Sequence, residues 1–129
     1  MANPESQIVV IRKEFLAAGA ITPGITRHKA FDSPGVLISQ SRIDPEVSSD
    51  WHHHAQRTLY GYLVQGELRF DFGPGGSRAV QFSAGDYFCI PPGIVHRDVN
   101  PSRDVQALVV AVLVGEGPPT VNTAGPDAE

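Results

Sequence analysis

The sequence predicts an all-β fold, a sandwich or a barrel, and three observations lead to that prediction. Thirteen glycines and eleven prolines interrupt short runs rich in valine, isoleucine, phenylalanine and tyrosine, which is the pattern of short strands joined by turns. The segment 67–72 alternates between polar and apolar residues, as a strand with one buried face does. At 129 residues, the chain is long enough for one hydrophobic core but not for two, so we expect a single domain.

The composition divides the chain into three parts. Residues 1–30 are expected to form an N-terminal arm, with a strand and then a short helical turn within 8–20 and extended chain at 21–27. In a small barrel, such an arm is expected to pack across the sheet of a neighbouring subunit. Residues 31–114 are expected to form the barrel. Residues 115–129 are rich in glycine, proline and small polar residues, and this composition predicts a disordered tail.

Apolar runs between turn signals predict the strands of the barrel, in order: 36–43, 60–64 (buried), 67–72, 78–82, 86–90 and 104–114. In 67–72, alternation predicts that Leu68, Phe70 and Phe72 face the core and that Glu67, Arg69 and Asp71 face water. The glycine-rich segment 73–76 then turns the chain into a hairpin with 78–82. Strand 104–114 is apolar on both faces, so we expect it to be covered on both, and a twofold partner is the commonest cover. The sequence therefore predicts a homodimer.

Composition and charge exclude several classes of protein. A formal net charge of -4 argues against a nucleic-acid-binding face, which needs clustered lysine and arginine. No apolar run approaches the roughly 20 residues that span a bilayer. The first residues lack the basic and apolar regions of a signal peptide, and the single Cys89 cannot form an internal disulfide. We therefore expect no nucleic-acid or membrane partner and a cytoplasmic location.

Histidines form the candidate site. On a strand, residues two apart share a face, so His52 and His54 should point one way and His53 the other. His96 follows a rigid turn and supplies a third imidazole from a distant strand. Three converging imidazoles suit a divalent Fe, Mn, Ni, Zn or Cu ion. A register slip of one residue would exchange His53 for its neighbours, and the alternative for these residues is a solvated strand end and a core histidine. Gln56 shares strand parity with His54, so its amide oxygen is a candidate fourth ligand or water-orienting group.

Two spacing patterns resemble the sequence motifs of the cupin superfamily. The second motif, Gly-x5-Pro-x-Gly-x2-His-x3-Asn, has every fixed position present, as Gly85, Pro91, Gly93, His96 and Asn100. The first motif, Gly-x5-His-x-His-x3,4-Glu-x6-Gly, is matched by His52, His54 and Gly66 with two departures. Glu46 stands where the family has its opening glycine, and Leu59 stands where the family has its carboxylate ligand.

The resemblance covers roughly residues 36–114. It implies the cupin double-stranded β-helix, a jelly-roll-like barrel, with a metal held by His52, His54 and His96. Without the glutamate, three neutral ligands leave both positive charges on the ion, which favours an anionic or chelating oxygen ligand. Leu59, Tyr60 and Trp51 are expected to line the pocket; Asp50 and Arg57 are expected to be solvated, and Asn100 to support the turn after the histidine strand.

The motifs and the three-histidine ligand set are compatible with two functions from different classes. Some cupin oxygenases also hold iron with three histidines and no carboxylate, so the resemblance implies an Fe(II) dioxygenase-like oxidoreductase that acts on a small chelating or anionic substrate. The alternative is a non-catalytic or non-redox cupin that binds a small molecule or metal, such as a sensor, isomerase-like or storage module. In that case Leu59 simply fills the core. The sequence does not single out a catalytic residue, and fold alone does not choose between these functions.

Overall fold

The structure, a computed structural model, describes residues 7–127 and shows two packed antiparallel sheets. Its strands are β1 (Ala17–Ala18), β2 (Ile25–Ser33), β3 (Val36–Ile43), β4 (His52–His53), β5 (Thr58–Gln65), β6 (Glu67–Phe72), β7 (Arg78–Ser83), β8 (Tyr87–Ile90), β9 (His96–Val99), β10 (Ala107–Val114) and β11 (Val121–Asn122). The helical structure in these residues is limited to 3-10 turns at Lys13–Phe15 and Pro74–Gly76. The all-β prediction is confirmed.

The strand order explains how distant segments meet. One sheet has the order β1-β2-β3-β10-β5-β8, and the other has the order β11-β4-β9-β6-β7. Strand β4 lies beside β9, so the two histidine-bearing segments are neighbours although about 40 residues separate them in sequence. The predicted hairpin is present as β6 paired with β7.

The core lies between the inner faces of the two sheets. Alternation on β10 sends Ala107, Val109, Ala111 and Leu113 inward, where each is at most 9% exposed. Gly61 on β5 lets the ring of Phe88 lie directly against the strand, because a Cβ at this position would come within 2.1 Å of that ring. The residues that form the core cluster are Ile25, Leu37, Ile43, Leu59, Leu63, Leu68, Phe70, Ile90, Ala107, Val109, Ala111 and Leu113.

Two strand predictions require correction. The strand predicted at 60–64 exists within β5, but it is buried on one face only: Leu63 is fully buried and Tyr60 is 53% exposed. Asp71 was expected to face water, yet it is 6% exposed, because Arg69 and Arg97 cover its carboxylate on the outer face of the sheet. The outer face of β10 is half-buried, so its predicted cover by a partner stays a prediction.

The two ends of the chain also differ from expectation. In the arm, the turn precedes the strand: Lys13–Phe15 is a 3-10 turn, and β1 then pairs with β2 of its own chain. Residues 115–127 are not a disordered tail, because β11 pairs with β4 and the backbone N–H of Thr123 donates to the carbonyl of Trp51. The predictions for residues 1–6 and 128–129 lie outside the described residues. Within the described part of the chain, no helix is long and apolar enough to cross a membrane.

Candidate metal centre

Three histidines converge on the inner face of the five-stranded sheet. His52 on β4 stands directly opposite His96 on β9, and His54 follows β4 on the same face. One ring nitrogen from each residue lies within 4.8 Å of the others, and the three residues are 2–6% exposed. This arrangement is a three-histidine cluster with the geometry to bind a metal ion.

The hydrogen bonds of these histidines orient their free nitrogens toward one another. Nδ1 of His52, His54 and His96 lies 2.7, 2.8 and 2.9 Å from the backbone carbonyl oxygens of Asp50, Pro119 and Ile94 respectively. Because a carbonyl oxygen only accepts, each Nδ1 carries the hydrogen and each Nε2 keeps its lone pair. This is the support that metal-ligating histidines ordinarily have. Nε2 of His54 is buried and has no hydrogen-bond partner, as a nitrogen that awaits a cation would be.

Burial favours the neutral form of His54 and His96, which is the form that binds a metal. Burial lowers the pKa of His54 from its ordinary 6.5 to about 4, against the opposing hydrogen bond to Pro119, and the neighbouring His96 and His52 lower it further. Burial also lowers the pKa of His96, while Asp98 acts in the opposite direction. At neutral pH, protons therefore compete weakly for the ligand nitrogens of His54 and His96.

Asp98 places a carboxylate beside the cluster, although neither sequence motif includes this residue. It lies two residues after His96 on β9 and so shares the inner face. Its Oδ1 lies 3.6 Å from Nε2 of His96 and 3.9 Å from Nε2 of His52, and it is buried without a hydrogen-bond partner. Lone pairs that face one another across this space repel unless a cation lies between them. The three histidines therefore fit a divalent ion, with Asp98 as a negative charge beside two of them. Strand parity from His96 was the signal that could have found Asp98.

The predicted register of the histidine run holds, but Gln56 does not join the site. His53 turns away, and its Nδ1 accepts a hydrogen bond from the backbone N–H of Ala55. Ala55 has a left-handed φ of 53°, and the N–H of Arg57 bonds to the carbonyl of His54, so the chain reverses in a tight turn. This turn leaves Gln56 exposed and outside the cavity lining, because strand parity is lost where the chain bends.

The three predicted pocket residues have different positions. Leu59 is 7% exposed, lines the cavity beside the histidines and belongs to the core cluster. Tyr60 is the next residue on β5, so it points to the outer face and is 53% exposed. Trp51 precedes His52 and likewise points outward, where the guanidinium of Arg97 stacks 4.7 Å from its ring centre. Tyr60 and Trp51 are therefore not pocket residues.

A cavity of about 450 Å³ opens beside the cluster. Its walls combine apolar core residues with three cationic side chains, Arg27, Lys29 and Arg57. Arg57 was expected to be solvated, yet it is 9% exposed, because it directly precedes β5 and points to the same side as Leu59. Burial lowers the pKa of Arg27, and the nearby Asp98 and Asp50 oppose this effect. The cavity is thus apolar at its base, with a metal-binding cluster on one wall and cations around it.

Asn100 has the structural role that was expected of it. It is fully buried, its Nδ2 donates to the carbonyls of Ile43 and Val105, and its Oδ1 accepts from the N–H of Ser102. These three hydrogen bonds join the end of β9 to β3 and to the loop before β10. Asn100 therefore fixes the strand that carries His96 and Asp98.

The chain belongs to the cupin domain family, whose model matches residues 40–113. Germin-like protein 12-2 from Oryza sativa subsp. japonica is 29% identical over 96 residues, a match that covers 67% of this chain and 42% of that protein. The chain thus spans less than half the length of this relative.

Two solved structures extend the comparison. The polyketide cyclase RemF from Streptomyces resistomycificus superposes with a TM-score of 0.74 at 18% identity, over 91% of this chain and 86% of that one. An oxalate oxidase in complex with the substrate analogue glycolate superposes with a TM-score of 0.58 at 26% identity, over 69% of this chain and 46% of that one. The first likeness establishes only the fold, which is the cupin double-stranded β-helix that the motifs implied.

Proposed function

We propose that this protein is a metal-dependent oxidoreductase of the dioxygenase type that acts on a small chelating acid. The observation that supports it is the histidine cluster: three ring nitrogens converge on the wall of a cavity, and a carboxylate oxygen of Asp98 lies beside two of them. A set dominated by neutral imidazoles leaves an ion with net positive charge and open positions, which favours an oxyanion ligand. The oxalate oxidase that resembles this chain was solved with glycolate, a small hydroxy acid, and this supports the choice of substrate class.

Each part of the cavity has a separate task in this proposal. His52, His54 and His96 would hold the ion, with Asp98 supplying a negative charge. A bound divalent ion would supply Lewis acidity, and iron would also supply electrons for reaction with O2. Leu59, Phe70 and Leu113 form apolar walls that exclude water and strengthen electrostatic contacts to the substrate. The backbone carbonyls on Nδ1 keep the rings in place, so the site is organised before the substrate arrives.

One observation favours the alternative, a cupin that binds a small molecule or metal without turnover. Leu59 packs in the hydrophobic cluster together with Ile90 and Leu113, its neighbours across β8 and β10. Leu59 stands where the family has its carboxylate ligand, and here it stabilises the core. This is compatible with a site that binds metal but has lost catalytic activity. In this alternative, metal binds but no substrate is consumed.

Metal analysis and oxygen uptake separate these functions. We expect protein purified without a histidine tag to hold one divalent ion per chain, to lose it on His96→Ala and to keep it on His53→Ala. Oxygen consumption is then measured with the Fe(II) protein and a panel of small hydroxy acids, keto acids and thiols. Uptake that depends on His96 supports the dioxygenase. Stoichiometric metal with no uptake in the iron, manganese, nickel and copper forms supports the binding module.

We also propose that the protein is a cytoplasmic homodimer. The lone cysteine, which cannot form an internal disulfide, supports a reducing compartment. The arm is apolar and exposed, with Ile8 at 96%, Val10 at 60% and Phe15 at 77%. Exposed tyrosines, Tyr60 and Tyr87, lie on the outer face of the six-stranded sheet. A second copy would bury both surfaces through one twofold axis.

A further inference from the structure

Arg57 is a buried cation on the inner face of the barrel. A tight turn, closed by the bond from its N–H to the carbonyl of His54, brings it to the start of β5. From there it has the same strand parity as Leu59 and Leu63, which are 7% and 0% exposed. Arg57 itself is 9% exposed and lines the same cavity as the three histidines.

The guanidinium of Arg57 is only partly satisfied. Its Nε donates to the carbonyl of Gly117 at 2.9 Å, but its Nη1 is buried and has no hydrogen-bond partner. Among residues 7–127, no carboxylate forms an ion pair with it. The acids that line the cavity are engaged elsewhere: Asp32 pairs with Lys29, and Asp98 faces the histidines. A buried charge with an open donor is costly unless an anion completes it.

We propose that Arg57 anchors a carboxylate of the substrate through Nη1, so that the substrate is a small diacid with its other end at the histidine cluster. Arginine holds a carboxylate more firmly than a neutral donor would, because both partners are charged and the guanidinium is planar. The inference rests on the proposed function in one respect, namely that the second carboxylate binds at the metal centre. It adds to that function a second oxyanion and the residue that recognises it.

A purely structural role for Arg57 would give different results in an experiment. Its Nε bond holds residue 117, and two residues later the carbonyl of Pro119 supports His54. If this were its whole role, replacing Arg57 would disturb metal binding and leave the preference for a diacid unchanged. Metal content and ligand selectivity therefore have to be measured on the same variants.

The test is calorimetric titration of the redox-inert Zn(II) protein with oxalate, malonate and succinate, with the monoamide of each as a neutral counterpart. We expect at least one diacid to bind the wild-type protein about 10- to 100-fold more tightly than its monoamide, the range expected for losing a charged hydrogen bond. Arg57→Gln should remove this preference without changing the zinc content. Arg103→Gln, at an exposed position, should behave as wild type.

Each outcome decides the proposal. It is overturned if no diacid is preferred over its monoamide, or if Arg57→Gln keeps the preference. If phosphonoacetate binds more tightly than malonate and its binding depends on Arg57, the site recognises a phosphoryl group. That result would overturn the proposal that Arg57 anchors a carboxylate. If the protein takes up no metal, the proposed function fails, and the same titrations of the metal-free protein test Arg57 alone. If Arg57→Gln does not fold, Arg57→Met takes its place in the same titrations, because Arg27 and Lys29 also line the cavity and could give the wild type a preference for diacids.

Discussion

Asp98 offers the sharpest test of the metal centre at the scale of single residues. Asp98→Asn keeps the shape of the side chain and removes its charge, so the ion would lose the negative charge that lies beside His52 and His96. We expect affinity for Zn(II) to fall about 10- to 100-fold, the usual effect of losing a group that supports a metal site. Competition with a chromophoric chelator measures it, and Asp104→Asn, at an exposed position, is the control. Unchanged affinity in Asp98→Asn would show that the charge of Asp98 does not support the metal.

Glu46 shows why the cupin motif opens with glycine. The N–H of Val47 bonds to the carbonyl of Asp44, and Glu46 takes a φ of 64° as the third residue of this turn. With Pro45 as the second residue, this is the pattern of a type II turn, which favours glycine in the third place. A glutamate there has a Cβ in a strained position.

Replacing Glu46 with glycine should therefore stabilise the protein. We expect Glu46→Gly to raise the free energy of unfolding by a few tenths to about 1 kcal/mol, since relief of strain exceeds the entropy that glycine adds to the unfolded chain. Glu46→Ala keeps the strained backbone and is the matched control. Urea denaturation of both variants measures the difference, and a loss of stability in the glycine variant would contradict this account of the turn.

The sequence predicted which histidines lie together where a fixed spacing coincided with regular strand geometry. His52, His54 and His96 meet because parity and register hold through β4 and β9. The prediction for Gln56 failed, since the left-handed Ala55 between it and His54 breaks the strand parity on which that prediction rested. Arg57 was expected to be solvated, and the same turn carries it to the cavity instead. A positive φ at an alanine has no clear sequence signal, so the position of Arg57 in the cavity needed three-dimensional coordinates.

At the scale of elements, the pairing of β6 with β9 carries an ion-pair network on its outer face. Arg69 donates to Oδ1 of Asp71 at 2.8 Å, and Arg97 donates to Oδ2 at 2.9 Å from the neighbouring strand. Burial acts to raise the pKa of Asp71, but the hydrogen bonds and charges of the two arginines outweigh it and hold the pKa below its ordinary 3.8. The ionised form is therefore the one that stabilises the folded protein.

The stability that Asp71 contributes should depend on pH. Because its pKa is lower in the folded than in the unfolded state, the contribution is present above pH 4 and is lost as the pH falls through the folded pKa. We expect Asp71→Asn to cost about 1–3 kcal/mol at pH 7, less than a fully buried pair because the arginines stay about one-third exposed. Urea denaturation from pH 7 to pH 2 should show the gap between variant and wild type closing at the acid end. A gap that is constant with pH would argue against the ion pairs as its cause.

The C-terminal segment shows how composition can mislead. Glycines and prolines in 115–129 predicted disorder, since few apolar residues are available for burial there. In the structure, Val121–Asn122 adds a strand beside His52–His53, and the carbonyl of Pro119 receives the hydrogen of His54. These contacts are made by backbone groups, which composition does not register. The segment thus closes one side of the metal centre.

At the scale of the whole molecule, the fold was more predictable than its surface. The alternating strands and the second cupin motif reflect how the chain buries its own core, and the fold predicted from them was correct. An interface between two copies is harder to predict from sequence, because an apolar residue on an outer face gives the same pattern as an apolar residue in the core. The homodimer predicted from the apolar outer face of β10 therefore stays a prediction.

The exposed arm allows a direct test of the proposed dimer. If Ile8 and Val10, 96% and 60% exposed in the single chain, pack against a second copy, Ile8→Asp with Val10→Asp places two charges in that interface. We expect sedimentation at micromolar concentration to show a dimer for the wild type and a monomer for the double variant. The melting temperature of the double variant should then become independent of protein concentration, because unfolding no longer involves dissociation. Replacing Glu14, a polar arm residue, with glutamine is the control and should leave the dimer intact. A wild-type protein that sediments as a monomer would mean that the arm and the tyrosine face stay open to solvent, and the proposal of a twofold partner would be withdrawn.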